Sequence, residues 1–199
     1  MGNRTSVKAK FFEPQGVSAA LVSASAAAAT LVIADGGPYG NVTETITIKS
    51  AAGDNRGNDF TITGTDGNGD AQTEVLTGPN STATVNSANK YLTVTSIVSD
   101  GAIATDIQAG ILGTGALTGT VFAGRTRIRG LTGTSKASAG NVVFKNTSIT
   151  GTSLLTIPLT GAVSSIDPYV PDNGVLFKAG AYINLTAADV TGITVYYDG

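Results

Sequence analysis

Apolar and polar residues alternate along most of this chain with a period of two. In residues 42–49, Ile46 and Ile48 fall on one side of an extended chain, and threonines fall on the other. The same alternation returns in residues 60–63 and 92–95. Alternation of this kind with β-branched residues is typical of antiparallel strands that bury one face.

Turn-forming residues separate these segments. Clusters of Gly, Pro, Asn and Asp occupy residues 35–38, 52–55, 66–69 and 78–80. Further strand patterns follow at residues 126–131, 141–144, 154–158, 175–177, 181–185 and 192–197. Short strands between such clusters predict an all-β protein made of antiparallel β-sandwich or barrel-like domains.

The domain boundaries are predicted from the places where the strand pattern is interrupted. A Gly/Thr stretch at residues 113–119 predicts a boundary, which gives a β domain over residues 17–118 and a second over residues 119–199. One continuous fold is the alternative. Residues 1–16 are interpreted as an extended N-terminal arm. The Ala-rich segment 18–29 is compatible with either a helix or a strand, since Ala favours helices but the segment has little to bury.

Composition narrows the chemistry available to the chain. It contains no Cys and no His, so disulfides, thiolate metal sites and histidine general bases are excluded. Only 13 % of residues are charged, against roughly 25 % in an ordinary soluble domain. The net charge of −2 provides no basic field for nucleic acid. No stretch reaches the ~18 apolar residues of a membrane helix, so neither nucleic acid nor a membrane is an expected partner.

Two features are candidates for an interface. Arg125, Arg127 and Arg129 alternate, so a strand would present all three guanidinium groups on one face. They suit bidentate contacts with carboxylates of a neighbouring subunit, or else the protection of a solvated edge strand. Tyr169, in the turn cluster 167–174, is suited either to anchoring an interface or to packing on the local core.

Other motifs are explained by structure rather than by chemistry. Asp66, Asn68 and Asp70 have the spacing that begins a calcium loop, but Ala71 and Thr77 occupy the positions where that loop needs Gly and Glu. The segment is therefore interpreted as a polar hairpin turn. Neither a nucleophile elbow nor a phosphate-binding loop is present in the sequence. No catalytic residue, metal site or cofactor is predicted, and the chain is not expected to be an enzyme.

Two stretches resemble known proteins. Residues 58–78, continuing through 90–97, are similar to segments of structural proteins from tailed phages, notably phages of aquatic bacteria. Residues 142–145, 154–160 and 171–177 resemble a small β domain of similar virion proteins. The resemblance implies a component of the virus particle and brings no active-site residues with it.

These observations lead to three hypotheses. The first is a capsid decoration or cement protein on the surface of the virion, which binds the major capsid protein or other virion subunits and forms a homo-oligomer, with a trimer favoured. The second is a tail or neck protein of the head–tail connector or tube. The third is a carbohydrate-binding adhesion module, against which the low aromatic content of 6 % and the absence of Trp both argue.

Overall fold

The computed structural model describes residues 6–14, 18–25, 31, 33, 36–103, 107–112, 116–186 and 188–199. These residues form sixteen β-strands and no helix, which confirms the predicted all-β class. Within this part of the chain there is accordingly no helix suited to spanning a membrane. In order along the chain the strands are β1 (Val7–Phe12), β2 (Ser18–Ser25), β3 (Glu44–Ser50), β4 (Asp59–Thr65), β5 (Ala71–Thr77), β6 (Thr84–Tyr91), β7 (Thr93–Ser99), β8 (Ile107–Ile111), β9 (Ala116–Phe122), β10 (Thr126–Ser135), β11 (Ala139–Asn146), β12 (Ser153–Thr160), β13 (Ser165–Ile166), β14 (Val175–Phe177), β15 (Ala181–Thr186) and β16 (Val190–Asp198).

The strands group into two compact units that interleave along the chain. The N-terminal unit comprises Gln15–Tyr39 and Thr43–Gly113, and the C-terminal unit comprises Met1–Pro14, Gly40–Val42 and Thr114–Gly199. The boundary after Gly113 lies within the Gly/Thr stretch at which the sequence predicted one. The assignment of the first fourteen residues and of Gly40–Val42 to the C-terminal unit was not predicted.

The C-terminal unit is a sandwich of two antiparallel sheets. One sheet, the β16 sheet, has the order β1-β16-β10-β13, with β14 also paired to β10. The other, the β11 sheet, has the order β12-β11-β15-β9. Their inner faces, together with Val42 from the segment before β3, supply one hydrophobic core. Its fully buried members include Phe12, Val42, Leu117, Ile128, Phe144, Phe177, Ile193 and Val195.

The structure corrects the prediction of an extended arm for residues 7–12. All six residues of β1 pair with β16, from Val7 opposite Asp198 to Phe12 opposite Ile193. The backbone N–H of Glu13 continues the attachment by donating to the Gly40 carbonyl oxygen at 2.8 Å. Pairing is favoured because it buries the Phe12 side chain completely. The rest of the predicted arm, residues 1–5 and 15–16, lies outside the described residues.

The N-terminal unit is also built from two antiparallel sheets around one core. The β3 sheet has the order β2-β8-β3-β6, and the β4 sheet has the order β5-β4-β7. Buried residues from both sheets form the core, among them Ile46, Ile48, Phe60, Ile62, Tyr91, Ile97 and Ile107. Two side chains of β5 join the sheets at one edge. Gln72 Nε2 donates to the Lys90 carbonyl oxygen at 2.7 Å, and the Glu74 carboxylate accepts from the N–H groups of Ala88 and Asn89.

The Ala-rich segment contributes a strand to this unit. Ser18–Ser25 form β2, which pairs with β8, so the structure favours the strand of the two readings that the sequence left open. Residues 26–29 of that segment lie outside the described residues. Pairing with β8 is a tertiary contact, which explains why local propensity alone could not decide between helix and strand.

Candidate interaction surface

The three arginines predicted as an interface lie together at the start of β10, next to Asp198. Arg127 lies opposite Asp198 in the ladder between β10 and β16, and its Nη1 donates to the Asn173 carbonyl oxygen at 2.9 Å. The Nη1 atom of Arg129 lies 3.9 Å from Oδ2 of Asp198. Arg125 precedes β10 and lines, with Arg127 and Asp198, a shallow cleft of about 190 Å³. The structure thus brings the three predicted residues together.

A β-bulge at Arg129 determines how these arginines are displayed. Ile128 and Gly130 pair with consecutive residues of β16, so Arg129 has no partner in this ladder. The extra residue resets the alternation and turns Leu131, which is 1 % exposed, toward the core. Strict alternation, as predicted from the sequence, would have placed Leu131 on the solvent side beside the arginines.

The face of the β16 sheet that points away from the core is a continuous surface, called here the basic outer face. The register of β1, β16 and β10 shows which residues are neighbours on this face. Val7 lies beside Asp198 and Arg127, and Phe11 lies beside Thr194 and Thr132. Val7 is 55 % exposed and Phe11 is 50 % exposed. The basic outer face consists of Val7, Ala9, Phe11, Arg127, Arg129, Thr132, Thr194, Tyr196 and Asp198.

Strand β1 exposes apolar side chains and turns its lysines toward the core side of the sheet, the reverse of the usual arrangement. Its apolar Val7 and Phe11 point to solvent, whereas its lysines point to the side of the sheet where Phe12 enters the core. Lys10 Nζ donates to the Thr120 carbonyl oxygen at 2.7 Å, and burial lowers the pKa of this lysine. Lys8 Nζ lies 5.8 Å from the centre of the Phe122 ring. Sequence reasoning missed this surface, although the alternation of residues 7–12 was visible.

Tyr169 stands on a loop between β13 and β14. The turn that follows it is closed by the Gly174 N–H, which donates to the Pro171 carbonyl oxygen at 2.6 Å, and this confirms the predicted reversal. The Tyr169 side chain is 83 % exposed, so it does not pack on the local core. An interface role for Tyr169 stays a prediction, as it does for the three arginines.

A second exposed face lies in the N-terminal unit, on the side of the β4 sheet opposite the core. Asp59 and Asp100 meet at one end of it, where the Asp59 N–H donates to Oδ1 of Asp100 at 2.8 Å. Val75 lies two residues from the Thr77 hydroxyl that donates to Asp59, and it is 57 % exposed. This surface, called here the acidic outer face, consists of Asp59, Thr61, Thr63, Val75, Thr77, Val98 and Asp100.

The predicted hairpin turn after β4 is confirmed. Strands β4 and β5 pair in register from Asp59 opposite Thr77 to Thr65 opposite Ala71. The Asp66 carboxylate accepts the N–H of Asn68 at 2.8 Å and the N–H of Asp70 at 3.0 Å. The carboxylate that would have begun a calcium loop therefore stabilises the turn backbone. Among the described residues there is no cluster of three or more His, Cys, Asp or Glu suited to a metal ion.

Charge is divided unequally between the two units. The C-terminal unit contains nine Lys and Arg residues against five Asp and Glu, a net charge of +4. The N-terminal unit contains three against nine, a net charge of −6. The overall value of −2 therefore conceals two units of opposite sign. Asymmetry of this kind steers association with partners of complementary charge.

Two ionisable groups of the N-terminal unit have strongly shifted pKa values. Hydrogen bonds from Arg56 lower the pKa of the exposed Asp54 carboxyl to about 2, and the two charged groups meet at 2.8 Å. Burial raises the pKa of the Tyr91 hydroxyl to about 12, since the phenolate would be desolvated in the core. Both shifts have structural causes, an ion pair and a core position respectively.

No protein-family model matches this chain, and no significantly similar protein was found among curated sequences or solved structures.

Proposed function

We propose that this chain is a non-enzymatic structural subunit of a tailed-bacteriophage particle, and that it acts as a decoration or cement protein on the capsid. The observation that carries the proposal is the exposure of large apolar side chains on both units. They stand on sheet edges and loops: Val7, Phe11, Val75, Leu154, Val163 and Tyr169.

Such residues are informative because the chain has few charges to keep copies apart. With 13 % charged residues, its surface depends on Thr, Ser, Asn and Gly for solubility. Apolar side chains on the outer strands of sheets invite further packing unless a partner covers them. A subunit of a permanent assembly supplies that partner. The resemblance of the strand-and-turn pattern of residues 58–78 to segments of tailed-phage structural proteins is the reason for proposing a phage particle as the assembly.

A cement protein would act by mass action. It binds the assembled shell and not the dissociated subunits, so occupancy of many equivalent sites stabilises the shell. Weak contacts repeated by symmetry add up through avidity. The chemistry needed is burial of apolar side chains and pairing of charges, which both outer faces are equipped to supply.

The experiment that tests this proposal is quantification of the chain in purified particles of the virus that encodes it. Mass spectrometry against the major capsid protein should give a copy number on the order of hundreds, as expected for a lattice site. Particles lacking the chain should lose resistance to heat and osmotic shock. Absence from the particle, or unchanged resistance of particles that lack it, would reject the cement role.

Tyr169 offers a sharper version of the same test. The variant Tyr169→Ala should lower occupancy on particles, because exposed aromatic anchors contribute strongly to interfaces. Its melting temperature should equal that of the wild type, since the side chain is 83 % exposed. Full occupancy by this variant would remove Tyr169 from the interface and leave the copy-number test to decide the function.

A tail or neck subunit is the second candidate, and the opposite charges of the two units favour it. Subunits that attract one another head to tail form rings or tubes. Copy number separates the candidates, because a ring would contain about six or twelve copies per particle, according to its symmetry.

A further inference from the structure

The basic and acidic outer faces have complementary properties. Each is the solvent side of a β-sheet, each contains threonines, and each carries exposed apolar surface, from Val7 and Phe11 on the basic face and from Val75 on the acidic face. The arginines of one face and the carboxylates of the other have opposite charge. We propose that the basic outer face of one copy of this chain packs against the acidic outer face of a second copy.

The charges on the basic outer face leave a positive excess. The Asp198 carboxylate lies 3.9 Å from Nη1 of Arg129, whereas Arg127, opposite Asp198 in the ladder, donates its Nη1 to the Asn173 carbonyl oxygen. Arg125 adds a third guanidinium at the same end of β10. This end of β10 therefore contains three arginines and one carboxylate, and the planar guanidinium groups retain donors for bidentate contacts with further carboxylates.

The acidic outer face supplies those carboxylates in the right number. Asp59 and Asp100 are adjacent and exposed. Their carboxylates accept hydrogen bonds from the Thr77 hydroxyl and the Asp59 N–H, which leave their negative charge in place. The nearest basic residue along the chain, Arg56, lies in the turn before β4 and is held by Asp54 through a contact of 2.8 Å. The pair at Asp59 and Asp100 thus has a net charge available for a partner.

The exposed apolar residues of the two faces add the burial of hydrophobic surface to the charge pairs. Val7 and Phe11 extend along β1 beside the arginine end, and Val75 extends along β5 beside the carboxylate end. Two sheets pack face to face at about 10 Å, the distance at which such side chains interdigitate. Stable protein interfaces combine buried apolar side chains with hydrogen-bonded and charged pairs, and the two faces supply both.

A contact between two different faces is heterologous, so every added copy exposes the same pair of faces again. The result is a ring when the rotation between copies closes, or a filament when it does not. The inference rests on the proposed function in one respect only, namely that the chain is an assembly subunit. It does not require a phage particle.

The test measures the self-association of the full chain and of two reciprocal charge variants. Sedimentation velocity is recorded for each protein over a wide range of concentration. The wild type should associate, more weakly at high salt because ions screen the charge pairs. Arg127→Glu with Arg129→Glu, and separately Asp59→Lys with Asp100→Lys, should each raise the dissociation constant about tenfold or more.

Mixing the two variants supplies the decisive measurement. Each variant alone presents like charges at the contact, but the mixture pairs the reversed basic face with the reversed acidic face. Association should therefore return in the equimolar mixture. Lys145→Glu is the control, because it reverses a charge of the same unit within the β11 sheet, away from the basic outer face, and it should associate like the wild type.

Several outcomes would overturn the inference: a wild-type chain that stays monomeric at every concentration, charge variants that associate like the wild type, or a mixture that fails to associate. Circular dichroism and melting temperature verify that each variant is folded. Phe11→Ser tests the apolar part of the contact without altering charge, and it should also weaken association. High copy number in particles together with wild-type association of the charge variants would reject this interface while leaving the proposed function intact.

Discussion

Gly64 shows how a single residue is required by the close approach of two strands. A Cβ atom at Gly64 would lie 2.0 Å from the Thr93 carbonyl oxygen, and a register shift separates Thr63 from Gly64 in the ladder between β4 and β7. The obstructing atom belongs to the backbone, so the sheet itself would have to move. The sequence shows only a glycine within a threonine-rich strand.

We therefore expect Gly64→Ala to destabilise the protein by about 2 kcal/mol or more, because overpacking a sheet forces backbone shifts. Gly57→Ala is the control, since no atom lies within 4 Å of a Cβ built there. That variant should change the free energy of unfolding by less than about 0.5 kcal/mol. Urea denaturation measures both. Equal effects of the two substitutions would contradict the close approach.

The burial of Tyr91 predicts how the stability of the protein depends on pH. Burial raises its pKa from 10.0 to about 12, so the unfolded chain ionises this residue at lower pH than the folded chain does. A raised folded pKa contributes stability that is present below pH 10 and is lost as pH rises toward 12. The free energy of unfolding of the wild type should fall over that window relative to Tyr91→Phe, which cannot ionise there. Parallel pH profiles of the two proteins would contradict the prediction.

At the scale of elements, the placement of β1 decides which of two adjacent phenylalanines is buried. Phe12 enters the core of the C-terminal unit with no exposure, whereas its neighbour Phe11 is 50 % exposed. The two phenylalanines are adjacent and chemically identical, so they form a natural pair of variants. Their different environments arise because successive side chains of a strand point to opposite faces.

Phe12→Ala should cost about 3–5 kcal/mol of stability, the usual effect of removing a buried aromatic side chain. Phe11→Ala should cost less than about 1 kcal/mol, because its side chain is half exposed and leaves no internal cavity. Denaturant unfolding of dilute protein, which keeps self-association out of the comparison, distinguishes them. Similar values for both would mean that residues 7–12 behave as an arm rather than as a strand.

Strand β10 shows where prediction of an element stopped. The alternation in residues 126–131 predicted both the strand and the common face of its arginines. The bulge at Arg129 did not, because it is required by Leu131, whose burial depends on the facing β11 sheet. A local pattern contains no information about a facing sheet, so the register within β10 was beyond sequence reasoning.

At the scale of the whole molecule, the two cores share no residue, although each unit draws on separate parts of the chain. The C-terminal core contains Phe12 and Val42 as well as residues after 114. A fragment cut at the predicted boundary, residues 119–199, would also lack Leu117. A fragment cut between the two units therefore loses part of the C-terminal core.

A fragment of residues 114–199 should fail to fold cooperatively, because it lacks the strand that pairs with β16 and the side chain that fills the core. Adding a peptide of residues 1–14 should raise its β-sheet signal, as β1 can complement the sheet edge in trans. The same peptide with Phe12→Ala should have little effect. Circular dichroism and heteronuclear NMR follow the change, and a fragment that folds fully alone would contradict the unit assignment.

The alternation of side chains by itself determined the all-β class, the positions of most strands and the hairpin between β4 and β5, since these features depend on neighbouring residues. The tertiary structure alone decided that β1 pairs with β16, that Val7 and Phe11 point to solvent, and that a bulge orients Arg129. Each of these depends on contacts between residues far apart in the chain. A period of two shows that a segment is a strand and does not show which strand it pairs with.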